Sequence, residues 1–138
     1  VRFEVGRAIT LDRIGIETTT SAAATSLRLG IRSSAASGDP GSLVLDAGTV
    51  ASTSNAFVEL TISQVLTPGR WWLTCTLQGG TGVSVRGLSD TDPFLGQTAT
   101  TTSNSRGILQ LGVSGALPAS WSTTGLSSGG PKVLVRVA

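Results

Sequence analysis

Carboxylates and indoles are the side chains with which this chain could do chemistry, because histidine is absent and cysteine occurs once, at Cys75. Without an imidazole there is no Ser-His or Cys-His nucleophile. One cysteine cannot assemble a zinc set or close an internal disulfide. No glycine-rich loop follows a strand and opens a helix, so phosphate cradles are excluded as well. Two carboxylates suffice for glycoside hydrolysis, and Asp90 and Asp92 share one loop. Aspartates before a proline are turn-formers, however, and a calcium loop needs more clustered oxygens than 90–94 supplies. Both are read as turn residues, and the chain is expected to be no enzyme, with no catalytic set, no metal and no cofactor.

The tryptophans offer more. Trp71 and Trp72 sit in the run Thr67-Pro-Gly-Arg-Trp-Trp-Leu-Thr-Cys-Thr-Leu-Gln78. Pro68-Gly69 is the chemistry of a type II turn, and residues 71–78 alternate with period two. Trp71, Leu73, Cys75 and Leu77 share one face; Trp72, Thr74, Thr76 and Gln78 share the other. Trp71 is therefore expected in the core, with Cys75 an inert buried thiol beside it. Trp72, among threonines, is expected to be partly exposed. It could stack on a sugar or anchor a neighbouring subunit, but the plainer reading is cross-strand packing under a loop. Trp72, Asp90, Asp92 and Phe94 are the candidate ligand-binding residues. Trp121 lies in irregular chain, where an aromatic usually pins a loop to the core.

These residues need a scaffold, and the rest of the chain reads as strands. Residues 8–18 carry Ile9, Leu11, Ile14 and Ile16, with a slip that a β-bulge near Asp12-Arg13 would explain. Leu27, Leu29 and Ile31 face in, while Arg28, Gly30 and Arg32 face out. Residues 43–50 form a third strand bent at Gly48, and Ala56, Val58, Leu60 and Ile62 a fourth. After the tryptophan strand come Val83 and Val85, then a long polar loop over 88–105, of a length often tied to function. Ile108 to Leu111 and Lys132 to Val137 add two more strands. About eight strands and no helix predict an all-β, two-sheet antiparallel sandwich of jelly-roll-like type over residues 8–138. Residues 1–7 are read as an N-terminal arm or linker.

Composition fits this reading. Charged residues are only 13%, and glycine reaches 18 in 138 residues, the balance of short strands joined by tight turns. The pI is about 9.5, yet the net charge is +2 and the arginines are scattered. Nucleic-acid binders concentrate their basic residues, so no nucleic acid is expected. No apolar run approaches the ~20 residues that span a bilayer, so no membrane insertion is expected. A chain that opens at Val1 is expected to be processed or part of a longer one.

Several phrases are similar to a family of β-sandwich domains in bacteriophage virion proteins, the peripheral domains of minor tail and fibre proteins of actinobacterial-type phages. They are Val5-Gly-Arg-Ala-Ile-Thr-Leu-Asp-Arg-Ile-Gly-Ile16, Leu29-Gly-Ile31, Gly38-Asp-Pro-Gly-Ser-Leu-Val-Leu-Asp-Ala-Gly48 and Leu66-Thr-Pro-Gly-Arg-Trp-Trp-Leu73. The resemblance covers 5–77 and rests on turn and strand phrases. It implies a structural protein on the virion surface, assembled in the host cytoplasm and used in tail or fibre for host attachment. Its implied partners are other virion proteins, copies of itself in a homo-oligomer such as a trimer, and a host cell-surface glycan. The alternatives are a capsid decoration protein that stabilises the shell, and a carbohydrate-binding module.

Overall fold

A computed structural model describes residues 1–87, 107–109, 113–121, 125–127 and 130–138. They form ten strands: β1 (Arg2–Val5), β2 (Ile9–Thr20), β3 (Ser26–Ser34), β4 (Pro40–Ala51), β5 (Phe57–Leu66), β6 (Gly69–Gln78), β7 (Ser84–Val85), β8 (Gly107–Leu109), β9 (Gly125–Ser127) and β10 (Val133–Val137). Eight of them build two antiparallel sheets. The first has the order β1-β6-β3-β4; the second has the order β10-β2-β5, with β7 also beside β2. β8 and β9 pair with each other. No helix among the described residues is long and apolar enough to cross a membrane.

The alternation in the sequence becomes the core. Leu27, Leu29, Ile31, Val50 and Leu73 of the first sheet meet Leu11, Ile14, Ile16, Leu66 and Val133 of the second, all buried in one cluster. The result is the expected all-β sandwich. Of the connections among β1 to β7, only the one from β3 to β4 stays within a sheet. The others carry the chain across the sandwich, the sheet-switching habit of jelly-roll-like folds. The link at Pro68-Gly69 is one of these. It is not the type II turn read from its residues: Gly69 has φ +151° and already pairs with Val5. A tight turn would fold β6 back onto β5 in the same sheet, whereas the chain here must pass to the other one.

The bulge expected at Asp12-Arg13 is present. The ladder to β5 shifts between Leu11 and Arg13, and the ladder to β10 shifts between Arg136 and Val137. One extra residue restores Ile14 and Ile16 to the face that Leu11 occupies. Residues 1–7, read from the sequence as an arm, supply β1, which pairs with β6 from Arg2↔Trp72 to Val5↔Gly69. The Val1 nitrogen donates to the Leu73 carbonyl at 2.6 Å, and Val5 enters the core at 5% exposure.

Cys75 packs against the core cluster from β6, as its register predicts. Burial pushes its thiol up to about 12, offset only slightly by the nearby chain-terminal amine. The thiolate is the reactive form. The native protein should therefore resist a thiol-specific chromogenic reagent at pH 8 and react fully once unfolded in denaturant; rapid native labelling would show that the β6 face is open.

Candidate functional site

The middle of the first sheet, along β3, is buried on both faces. Residues 113–121 run as a strap across its outer side. The Gln78 amide donates to the Gly115 carbonyl at one end. In the middle, Leu117 lies over Gly30 at 6% exposure. At the far end the Leu43 N–H donates to the Ala119 carbonyl at 2.9 Å. Gly30 is what lets the strap settle: a Cβ there would run into Leu117 Cδ1 and lie 2.7 Å from the Leu45 carbonyl.

Arg32 and Asp46 hold the strap down. Arg32 is 1% exposed. Its guanidinium donates to the carbonyls of Gly41 (3.2 Å), Ala119 (3.5 Å) and Pro118, and stacks over the Trp121 ring at 5.3 Å. Asp46, paired with Arg28 through contacts of 2.8 and 3.0 Å, also accepts from the Leu117 N–H at 3.1 Å and the Gly48 N–H at 3.3 Å. Burial pushes the Asp46 carboxyl up, but the bonds from Arg28, Leu117 and Gly48 together outweigh it, and its pKa falls below the usual value. Arg32 Nε, Thr74 Oγ1 and Trp121 Nε1 are buried on this same side with no hydrogen-bond partner among the described residues.

Trp72 lies on this outer side, as its register predicts, and is packed under other chain there, the plainer of its readings, with less exposure than its threonine neighbours suggested. It is 8% exposed, and its Nε1 donates to the Gly38 carbonyl at 3.2 Å. Trp71 is only half-buried, with its Nε1 donating to the Thr67 carbonyl at 3.1 Å. The reversal has a simple cause: the face opposite the core is covered too. Asp90, Asp92 and Phe94, the other candidate ligand residues, lie outside the described residues. Arg32, Asp46, Leu117 and Trp121 do not stand out as a group in the sequence. The available signal is Gly30, a bare position in the middle of a strand.

The outer face of the second sheet is open and differently built. Phe57 lies across Gly15, where a Cβ would stand 2.6 Å from the Phe57 Cζ. Leu134 is paired opposite Gly15 from the other side. Phe57 is 50% exposed and Leu134 43%, so the two form an apolar row in water. Three arginine–carboxylate pairs surround it: Arg136 with Asp12 (2.9 and 2.7 Å), Arg86 with Glu17 (3.1 and 2.8 Å) and Arg13 with Glu59 (3.2 Å). The hydrogen bonds from Arg136 and Arg86 hold Asp12 and Glu17 below the usual carboxylate range. Exposed pairs of this kind add little stability. What they do is neutralise one another around an apolar centre.

Each of these four carboxylates is committed to an arginine, which suits neither a general acid nor a nucleophile. Among the described residues no three side chains gather as metal ligands. Comparison with protein-family models, curated proteins and solved structures finds no match for this chain.

Asp46→Asn replaces the acceptor with an amide whose own N–H groups face Arg28 and Leu117. The loss of charge-assisted bonds should cost about 1–3 kcal/mol at pH 7 in urea unfolding. Because the folded pKa is lowered, the wild-type advantage is present above the unfolded value. It should fade as pH falls through the still lower folded pKa. A deficit in the variant that stayed constant down to pH 2 would remove the carboxylate from this role.

Proposed function

We propose that this chain is a non-enzymatic structural domain of a bacteriophage particle, carried at the virion surface on the tail or fibre and used for host attachment. The observation that carries this reading is the open face of the second sheet. An apolar row of Phe57 and Leu134 over Gly15, rimmed by charges already paired within the chain, has the anatomy of a macromolecular contact surface: apolar centre, polar rim. It is mounted on a sandwich with no disulfide, whose outer strap stiffens the other sheet. Such a scaffold suits display and docking better than turnover.

The sequence phrases support the same reading. They map onto β2 with its bulge, onto β3 at Gly30, onto the β3–β4 hairpin and onto the link into β6. Those are the elements that define the sandwich and seat its strap. A free sugar-binding module built on Trp72 is less well supported, because that ring is covered.

Immunogold labelling of purified particles that encode this chain, using a binder raised against the domain, tests the proposal. Label on the tail tip or fibres is the expected result. Label spread regularly over the shell would move the domain to capsid decoration, and particles without label would defeat a virion role altogether.

A further inference from the structure

Of the four strands that end the two sheets, three carry features that discourage another strand from adding. β1 has four residues and presents Arg2 and Glu4. β4 begins at Pro40, and its ladder to β3 shifts register three times. β10 has five residues flanked and interrupted by Lys132 and Arg136, and its register shifts before Val137. β5 shares only one of these: its ladder to β2 shifts once, between Leu11 and Arg13, while β5 itself alternates evenly. It runs for ten residues without proline, glycine or a basic side chain, and Glu59 is its only charge. Its exposure alternates without a break from Phe57 to Val65. Among the described residues it pairs with β2 alone. Natural proteins protect sheet edges, so an edge left long, evenly alternating and with a single charge is a template for strand addition.

The hydrogen-bond parity of β5 says which groups are on offer. The Thr18 N–H donates to the Ala56 carbonyl at 2.9 Å. Alternate residues then turn toward β2, and the backbone groups of Phe57, Glu59 and Thr61 turn to the free side. The side chains of these three lie on the open outer face, together with Ser63 and Val65. Phe57 and Val65, at 50% and 60%, are among the most exposed large apolar side chains of the described residues. They lie equally far, in opposite directions, from Thr61.

We propose that a second copy of this chain adds through its own β5, antiparallel, about a two-fold axis at Thr61. In this register Phe57 of each copy lies opposite Val65 of its partner, so both exposed apolar groups gain a cross-strand neighbour. Glu59 falls opposite Ser63, which keeps the only charge of the strand away from its own copy. On the core side, half-buried Leu60 and Ile62 face each other across the axis and extend the apolar interior through it. The contact is isologous: each copy gives the patch that the other receives, and the pair closes with neither β5 edge left free. The two second sheets join into one continuous sheet, and the Phe57–Leu134 rows of both copies end up on the same side of it.

Light scattering after size-exclusion chromatography should give about twice the 14.0 kDa chain mass at high micromolar concentration. Val65→Lys, at an exposed position, should return the single-chain mass with an unchanged far-ultraviolet spectrum. Labelling T61C with a pyrene maleimide reads the axis directly: excimer emission is expected there and not from the same label on S42C, on β4. The buried Cys75 thiol does not compete for the label. A single-chain mass for the wild type, or a trimer, overturns the proposal. So does a dimer that survives Val65→Lys or gives excimer at S42C but not at T61C. Should Val65→Lys fail to fold, the T61C and S42C pair still decides.

Discussion

A guanidinium taken out of water, met by main-chain carbonyls and by no carboxylate among the described residues, is the constraint that shapes one half of this molecule. Arg32 is closed under a strap, its two terminal nitrogens donating to main-chain carbonyls of the hairpin and of the strap itself, with the Trp121 ring as the lid of its charge. Removing a cation from solvent is tolerable only when such partners are held in place. Gly30 has to be bare so that Leu117 can sit low. Asp46 has to be ionised so that the Leu117 N–H has an acceptor. The hairpin has to bring Gly41 within reach. Each condition makes sense only in company with the others, so the outer side of the first sheet is a second, polar-rich interior and not a surface.

The two sheets therefore solve the same problem in opposite ways. The first buries its far side under residues 113–121 and leaves little of it to a partner. The second keeps its far side in water, where Phe57 and Leu134 stand exposed over Gly15 among paired charges. That division assigns stiffness to one face and contact to the other. It also separates the core, which determines whether the domain folds, from the face on which its associations depend.

Much of the architecture is legible in single residues. The alternation in Leu27–Ile31, in Trp71–Leu77 and in Val133–Val137 sets each strand's inward face, and the slip between Leu11 and Ile14 locates a bulge. Periodicity reports which side a residue faces but not what lies over that side. Trp72 faces away from the core as expected, yet is buried, because chain distant in sequence closes over that side. Arg32 reads as outward from its register and is outward, but outward here is not wet. β1 is too short for its alternation to separate a strand from an arm. At Pro68-Gly69 the residue types allow a turn, and only the sheet assignments of β5 and β6 decide against one.

The path of the chain has a consequence for how the protein reaches this state. Because nearly every connection among β1 to β7 crosses between the sheets, only β3 and β4 of these strands pair with an immediate neighbour in sequence. β2 must hold one side open until β10 arrives, more than a hundred residues later, and β6 pairs with β1 across half the chain, from Arg2↔Trp72 to Val5↔Gly69. Folds dominated by such distant pairings form slowly, since the entropy of closing long loops is spent before the contacts return it. During synthesis, the β3–β4 hairpin is the one early pairing among β1 to β7, and the interior stays unsealed until β10 has emerged. A slow, late closure exposes apolar strands for longer, and this places the burden of avoiding aggregation on the hydroxyl-rich loops between them.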